Sequence, residues 1–306
     1  MRIAIIGRTD ILYETALYLK DLKHEIVLII TSKEAPEYTK TSADFRVLAE
    51  ELGIPFIHTP RIEETIEAIR GMPRIDIGVS LNYSGVISSS VIELFPLGIL
   101  NAHCGDLPRY RGNACQAWAI INGEERIGLC IHRMIGGELD SGDIVARDYF
   151  PITLATKVTA VLDWMSERIP YLFSDALRHL EKDHRFVLER QSKDPKDALR
   201  GYPRKPEDGR IDWSRSAIEL LRLINACNKP YAGAFCNFEG QKLVIWDAEL
   251  APEENFVAIP GQITVIGDGF VEVATGAGKL RIKEIETANG KKMPNQIVGS
   301  IRQRFA

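Results

Sequence analysis

Apolar runs and helical patterns alternate through the first part of the chain. Ile3–Ile6 and Ile26–Ile30 are continuous apolar runs typical of strands covered on both faces, and apolar residues recur at helical spacing between them. The alternation continues with helices at 43–52, 62–69, 86–94 and 156–180 and with strands at 55–58, 75–80, 99–103, 128–134 and 144–150. Strands that alternate with helices predict an α/β fold with a doubly wound, parallel-dominated sheet.

A polar stretch divides the chain into two predicted domains. The alternating pattern belongs to a first domain, residues 1–190. Residues 191–209 are rich in Lys, Asp, Pro and Gly and have little apolar periodicity, which predicts a linker. Residues 210–306 begin with a helix at 214–227 capped by Ser214 and continue as short strands separated by glycines, which predicts a second, smaller domain built as a β-barrel.

Composition and charge exclude several classes of protein. The 306 residues are 45% hydrophobic and 26% charged, as in globular proteins. With a net charge of -4, the protein lacks the positive electrostatic field of a dedicated nucleic-acid binder. The five cysteines form no CxxC pair and no cluster has metal-ligand spacing, so we expect reduced thiols and no metal. Because the chain has neither a signal-peptide pattern nor a long apolar run, we expect a cytoplasmic protein without a membrane anchor.

Two polar residues end the strand predicted at 99–103. Asn101 and His103 lie two positions apart and therefore share one face, at the sheet edge where α/β proteins bind ligands. An amide can stabilise an oxyanion, an imidazole can move a proton, and Asp140 could orient that imidazole. No G-x-S-x-G elbow accompanies them, and the first β-α turn has one glycine where a dinucleotide fingerprint needs three. The residues favour acyl transfer by direct attack of the substrate's nucleophile and disfavour nicotinamide or flavin chemistry.

Three motifs follow one another in a specific order. They are the N-x-H strand end at 101–103, the LPxxxG loop at 107–112 and the LDSGD loop at 139–143, with Asp140 placed 37 residues after His103. In these motifs the chain resembles the 10-formyltetrahydrofolate-dependent formyltransferases. PEDGRIDW, NKPYAGAF and GKKM extend the resemblance to the longer family members, at 206–213, 228–235 and 290–293. The resemblance implies a Rossmann-like catalytic domain followed by an OB-like C-terminal domain.

The resemblance also implies a reaction and a set of site residues. The reaction is formyl transfer from the co-substrate 10-formyltetrahydrofolate to a primary amine, without a metal. In the family's pattern His103 takes or relays the amine proton, Asn101 stabilises the oxyanion, and Asp140 keeps His103 oriented and basic. By position, the folate pocket would be lined by Gly85, Val86, Ile87, Asn113, Gly136, Gly137, Glu138 and Leu139.

One loop departs from the family's pattern. Where many relatives read H-x-S-L-L-P, this chain reads HCGDLP, so Asp106 replaces an apolar residue and Gly105 replaces a serine. No role of that serine transfers to this chain, and we interpret Asp106 as a solvated loop carboxylate. We interpret His132 as a structural residue, because it follows a buried strand pattern.

The family's two main long-chain branches formylate either the methionine of an initiator tRNA or an amino sugar carried on a nucleotide. The tRNA enzymes resemble one another in a Lys/Arg-rich loop after the second strand, whereas here Thr31–Asp44 has two lysines against Glu34, Glu37 and Asp44. Residues 187–306 hold 18 Lys and Arg against 16 Asp and Glu. PEDGRIDW and PYAGAF also look more like the formylase of UDP-4-amino-4-deoxy-arabinose. We therefore expect a dTDP- or UDP-4-amino sugar as the small-molecule substrate and no nucleic-acid partner. A role in lipopolysaccharide or O-antigen synthesis is implied by resemblance.

Candidate substrate contacts come from two segments. Arg109 and Arg111 flank Tyr110 near the expected mouth of the site and suit a diphosphate, although surface positions explain them equally well. Tyr202 and Arg204 are candidates from the linker. Two alternative functions stay open, methionyl-tRNA formyltransferase and a hydrolase that releases formate and tetrahydrofolate. The sequence also allows a homodimer, because OB-like domains often lie at interfaces.

Overall fold

The structure is a computed structural model that describes residues 1–36 and 38–306. Its strands are β1 (Arg2–Gly7), β2 (Glu25–Thr31), β3 (Phe56–His58), β4 (Ile77–Leu81), β5 (Ile99–His103), β6 (Tyr110–Gly112), β7 (Arg126–Arg133), β8 (Ile144–Pro151), β9 (Leu199–Gly201), β10 (Ala234–Phe238), β11 (Gln241–Leu250), β12 (Ile263–Ile266), β13 (Val271–Ala274), β14 (Lys279–Thr287) and β15 (Gly290–Lys292). Its helices are α1 (Asp10–Asp21), α2 (Ser42–Leu52), α3 (Ile66–Arg70), α4 (Ser89–Ile92), α5 (Cys115–Asn122), α6 (Val158–Lys182) and α7 (Ala217–Ala226).

The chain forms two compact units that interleave along the sequence. The first unit comprises Met1–Asn113, Ile127–Phe150 and Asp163–Gly201, and the second comprises Ala114–Arg126, Pro151–Leu162 and Tyr202–Ala306. The division into domains at 190 and 210 stays a prediction, since the second unit draws on segments from both sides of the predicted linker. Along the described residues no helix is long and apolar enough to cross a membrane.

A seven-stranded sheet forms the centre of the first unit, in the order β3-β2-β1-β4-β5-β7-β8. β1 pairs in parallel with β2 and β4, and β4 pairs in parallel with β5, whereas β7 runs antiparallel to β5. The apolar runs Ile3–Ile6 and Leu28–Ile30 are fully buried, as their lack of polar alternation predicts. The predicted α/β fold with a doubly wound, parallel-dominated sheet is therefore confirmed.

The strand order places a crevice beside the carboxyl end of β5. The chain leaves β1 toward β3 and returns to β4 on the other side, so β1 and β4 flank the switch point where α/β sheets bind ligands. The turn after β1 requires glycine at Gly7, because its φ is 140° and an added Cβ would lie 2.0 Å from the carbonyl oxygen of Leu81. β5 is the next strand, and it brings its polar end to the same edge of the sheet.

The second unit contains an antiparallel sheet in the order β10-β11-β14-β13-β12, with β15 paired to β14. The last residues of the chain connect its two edges. Ala306 exchanges backbone hydrogen bonds of 2.6 and 2.8 Å with Asn237, and the N–H of Phe305 donates to the carbonyl of Gly261 at 2.9 Å. Joining both edges removes unpaired strand groups and gives the barrel-like form predicted for this part of the chain. The apolar face of α7 packs into the same core.

Two predicted helices differ from the observed ones. α7 begins at Ala217 because its cap is Ser216, whose hydroxyl accepts from the N–H of Glu219 while the Glu219 carboxylate accepts from the N–H of Ser216. Ser214 does not cap this helix, and its hydroxyl donates to Asp212. The helix predicted at 86–94 is reduced to α4, and the residues before it form a loop.

The segment predicted as a linker contains ordered structure that the sequence did not indicate. β9 pairs in parallel with β6, joining Leu199–Gly201 to Tyr110–Gly112. Gln191, at the start of the same segment, is buried. The predicted linker shows weak apolar periodicity because backbone pairing and polar hydrogen bonds, rather than apolar packing, fix its position.

We expect Ser216→Ala to lower the free energy of unfolding by about 1 kcal/mol, because it removes the N-cap of α7. Chemical denaturation of the variant would measure this loss. Ser214→Ala is the matched control and should cost less, because Ser214 binds only a neighbouring turn residue. Equal losses for the two serines would contradict the assignment of the cap.

Candidate active site

The polar end of β5 faces an antiparallel neighbour. β5 and β7 pair so that Asn101 lies opposite His132 and His103 lies opposite Cys130. The Asn101 Nδ2 group is 3.2 Å from His132 Nε2. This pairing adds a second imidazole to the two polar residues that the sequence placed at the strand end.

His103 lies between a backbone carbonyl and a carboxylate. Its Nε2 donates to the carbonyl oxygen of Tyr110 at 2.5 Å, and its Nδ1 is 3.5 Å from Asp140 Oδ2. The imidazole is buried, so these two groups fix the plane of the ring. With Nε2 bound to the Tyr110 carbonyl, the ring exchanges a proton through Nδ1.

Asp140 is the charged centre of the site. Its carboxylate accepts the N–H of Gly112 at 2.9 Å and lies 3.4 Å from Nε2 of His132. Burial alone would raise the pKa of Asp140, but His103, His132 and the Gly112 N–H together hold that pKa well below its usual range. Asp140 therefore stays ionised at neutral pH and carries a negative charge between two imidazoles.

His132 belongs to the site, and its interpretation as merely structural was incomplete. It is 1% exposed, and its Nδ1 donates to the carbonyl of Arg133 at 3.0 Å. In the neutral ring Nε2 then accepts from the Asn101 amide, whereas a protonated ring directs an Nε2–H toward Asp140. The signal for this role is the strand register, which the sequence pattern alone does not contain.

Two loops carry the predicted folate-pocket residues. Gly85, Val86 and Ile87 follow β4, and Gly136–Leu139 follow β7. The loop after β7 contacts the start of α4, which follows the first loop, because a Cβ added at Gly136 would lie 2.2 Å from the backbone nitrogen of Ser89. Val86 and Leu139 are 74% and 43% exposed and present apolar surface, whereas Ile87 is buried in the core and offers only its backbone.

Asn113 and Leu139 both lie beside Gly112. Asn113 follows β6, and its N–H donates to the carbonyl of Gly201 at 3.0 Å. A Cβ added at Gly112, whose φ is 97°, would lie 2.4 Å from that carbonyl oxygen and 3.5 Å from a methyl group of Leu139. The structure thus brings both predicted folate residues beside the peptide that binds Asp140.

The predicted acceptor contacts separate into two groups. Arg109 is exposed, Tyr110 is buried, and Arg111 donates to the side chain of Gln191. Tyr202 and Arg204 belong to the second unit, where Arg204 lies over the ring of Trp118 and donates to the carbonyl of Asp208.

Asp106 is not a simply solvated carboxylate. Arg147 Nη1 donates to it at 3.2 Å, and Nη2 of the same arginine donates to the carbonyl of Leu107. Asp106 thereby anchors the loop that leads from His103 to Tyr110. This contact gives it a structural role in the loop.

Comparison with known proteins identifies the family. Residues 1–177 match the family described as "Formyl transferase", and residues 204–298 match "Formyl transferase, C-terminal domain". The chain belongs to the formyl transferase family. This formyl transferase is 30% identical over 301 residues to the methionyl-tRNA formyltransferase of Citrifermentans bemidjiense, with 96% of this chain and 91% of that protein covered. It is 28% identical over 298 residues to the enzyme of the same name from Desulfotalea psychrophila, at 96% and 90% coverage.

Solved structures share the fold of this formyl transferase. WlaRD, described as a sugar 3N-formyl transferase, has a TM-score of 0.69 at 17% identity and covers 94% of this chain and 98% of its own. An N-formyltransferase from Helicobacter canadensis, in complex with folinic acid and dTDP-3-aminofucose, has a TM-score of 0.68 at 19% identity, with 92% and 98% coverage. HypX from Aquifex aeolicus, in complex with tetrahydrofolic acid, has a TM-score of 0.63 at 19% identity. The match covers 98% of this chain and 47% of HypX.

We expect His132→Gln to lower kcat roughly 10-fold to 10²-fold, because a hydrogen bond to a charged group contributes about 1.5–3 kcal/mol. The variant loses the imidazole that faces Asp140 but keeps a polar side chain beside Asn101. Steady-state kinetics would measure kcat and KM separately. His58→Gln, at the exposed end of β3, is the control and should leave kcat unchanged. An unchanged kcat in His132→Gln would remove His132 from the site.

Proposed function

We propose that this enzyme transfers a formyl group from 10-formyltetrahydrofolate to the primary amine of a nucleotide-linked amino sugar. The cluster of Asn101, His103, His132 and Asp140 supports the transfer reaction, because it combines an amide donor, proton carriers and a fixed negative charge. The paired charges of the second unit support a small acceptor. The two parts of the proposal can be tested separately.

The co-substrate supplies an activated formyl group, and the residues of the chain position it for attack. The exposed apolar side chains of Val86 and Leu139 suit a flat ring, and the loop at 136–138 offers backbone polar groups beside them. These features lie on the loops after β4 and β7, and Gly136 of the second loop contacts Ser89 at the start of α4. The residues present therefore fit a folate.

Catalysis in this proposal requires one proton to move between two nitrogens. A bond forms between the acceptor amine and the formyl carbon, and the bond from that carbon to the folate nitrogen breaks. The Asn101 amide donates to the formyl oxygen as it gains negative charge. Because Nε2 of His103 donates to the carbonyl of Tyr110, Nδ1 is the nitrogen that takes the proton lost by the amine and returns it to the departing nitrogen. Asp140, which faces Nδ1, balances the positive charge on the imidazole. No covalent bond to the enzyme is needed.

Most basic side chains on the sheet of the second unit are neutralised by neighbouring carboxylates. On the sheet, ion pairs join Lys279 and Arg281 to Glu272, Lys283 to Glu249, and Lys291 to Glu284. Elsewhere in the second unit, Lys157 pairs with Asp247 and Arg215 with Glu219. Lys279 is the clearest case, since its side chain is 1% exposed and its Nζ lies 2.8 Å from Glu272. A paired cation gains little from a phosphate, so this sheet is a poor surface for a polyanion. A single nucleotide requires far fewer contacts with cationic side chains than a tRNA does.

The loop after β2 supports the same choice of acceptor. Lys40 lies over the ring of Tyr13, and the backbone N–H groups of Thr39 and Lys40 donate to Asp10. Glu37, one of the acidic residues counted in this loop, lies outside the described residues. The described part of the loop thus places a carboxylate against the backbone of one of its two lysines and an aromatic ring against the ammonium group of that lysine.

Methionyl-tRNA formyltransferase is the second candidate function. It is favoured by curated relatives of that name that are 27–30% identical over nearly the whole chain. Both candidates use the same formyl donor and the same transfer chemistry. They differ only in the molecule that carries the amine.

The choice of acceptor can be tested by following tetrahydrofolate release from 10-formyltetrahydrofolate. We expect release with one member of a panel of UDP-, dTDP- and GDP-linked 4-amino sugars, together with a formamide product in the mass spectrum, and none with charged initiator tRNA. Uncharged tRNA and the sugar nucleotides without the amine are the controls. Release that needs the charged tRNA would establish the second candidate, and release without any acceptor would identify a hydrolase.

We expect Asn101→Ala to lower kcat by about 10²-fold to 10³-fold, because it removes the donor to the developing oxyanion. The KM values should change less than kcat, since the interaction strengthens in the transition state. Asn237→Ala, on the exposed face of β10, serves as the matched control. A near-normal kcat in Asn101→Ala would contradict the assigned role.

A further inference from the structure

Gln191 is a buried amide in the segment whose composition predicts a linker. The residue is 6% exposed. Its Nε2 donates to the carbonyl oxygens of Asp140 and Gly142, at 2.9 and 2.6 Å, and its Oε1 accepts from Arg111 Nη2 at 3.0 Å. We propose that Gln191 is a positioning residue of the reaction, which holds the Asp140 loop and the β6 segment in register around His103.

The loop that Gln191 binds is tightly constrained. Asp140 has a φ of 49°, in the left-handed region that is unfavourable for most side chains other than glycine. Gly142 is pressed against the end of β7, because an added Cβ would lie 1.8 Å from the carbonyl oxygen of Arg133. The side-chain amide of Gln191 donates to the carbonyls of Asp140 and Gly142. The backbone N–H of Gln191 donates to the Asp143 carboxylate at 3.2 Å. These hydrogen bonds stabilise the backbone conformation of residues 140–143, which the local sequence alone would not favour.

The second contact of Gln191 reaches the other side of the imidazole. Arg111 lies between Tyr110, whose carbonyl accepts from His103, and Gly112, whose N–H donates to Asp140. Arg111 is held by Gln191 Oε1 and by the carbonyl of Ser192 at 3.2 Å. The buried amide of Gln191 therefore links two segments. One is β6, where the Tyr110 carbonyl binds Nε2 of His103, and the other is the loop that carries Asp140, whose carboxylate faces Nδ1 of His103.

The role is one of geometry, because Gln191 contacts Asp140 through the backbone carbonyl and not through the reacting groups. Removal of its amide leaves the carbonyls of Asp140 and Gly142 without this donor, and a loop free to shift moves the carboxylate relative to His103. A misplacement of about 1 Å can cost roughly 10²-fold in rate. The inference rests on the proposed roles of His103 and Asp140 in formyl transfer.

The test uses Gln191→Leu in the full-length enzyme, with kcat and KM measured for the formyl donor and the amine acceptor found active. We expect kcat to fall by about 10²-fold, with smaller changes in both KM values. Gln241→Leu, at the exposed start of β11, is the matched control and should keep the wild-type kcat. A wild-type kcat in Gln191→Leu would overturn the proposal.

Gln191→Glu provides a readout that a purely structural role would not change. The introduced carboxylate keeps an acceptor for Arg111 but cannot donate to the carbonyls of Asp140 and Gly142. The charged side chains bound to residue 191 are those of Arg111 and Asp143. Protonation of the introduced carboxylate would restore one donor, so the kcat of this variant relative to wild type should rise as the pH falls. A ratio that does not change with pH would overturn the proposal, and it remains measurable if Gln191→Leu fails to fold.

A double variant separates failure of this inference from failure of the proposed function. In the Asp140→Asn background, Gln191→Leu should lower kcat much less than it does in the wild type, because the two residues act as one unit. Equal effects in both backgrounds would overturn the positioning role while leaving Asp140 in the reaction. If Asp140→Asn alone keeps the wild-type kcat, the proposed roles of His103 and Asp140 fail, and the inference about Gln191 fails with them.

Discussion

The buried carboxylate of Asp140 is the interaction on which the rest of the site depends. A negative charge removed from water is expensive unless opposite charge and hydrogen-bond donors surround it. Here His103, His132 and the N–H of Gly112 provide that surrounding, and together they keep the carboxylate ionised. Each of these partners comes from a different element, so the site requires β5, β6, β7 and the loop after β7 to meet within hydrogen-bond distance.

The antiparallel pairing of β7 with β5 brings a second imidazole into the site. Cys130 lies opposite His103, His132 lies opposite Asn101, and Arg133, the last residue of β7, lies opposite Leu100 near the start of β5. The loop after β7 then carries Asp140 back to His103 and His132. Strand register and the path of this loop together bring two imidazoles and a carboxylate into contact.

Formyl transfer and choice of acceptor depend on different physical properties of the chain. Transfer depends on short-range contacts among a few buried groups in the first unit. In the proposed function, selection of a sugar nucleotide over a tRNA depends on how many cations remain available to phosphates, and the second unit pairs many of its cations with carboxylates. Overall charge could suggest this difference, but only the positions of the carboxylates determine which lysines and arginines are neutralised.

The sequence by itself determined the alternation of strands and helices, the sheet class, and the grouping of Asn101 and His103 with Asp140. These features are local or follow from one rule, since residues two apart on a strand share a face and strand ends of an α/β sheet meet at one edge. The motifs also indicated the family. Only the tertiary structure decided that His132 contacts Asn101 and Asp140, that Ser216 caps α7, and that Gln191 connects the Asp140 loop to Arg111 of β6. Strand direction, register and the approach of distant loops arise from packing across many residues, and apolar periodicity does not encode which distant neighbour a polar side chain will meet.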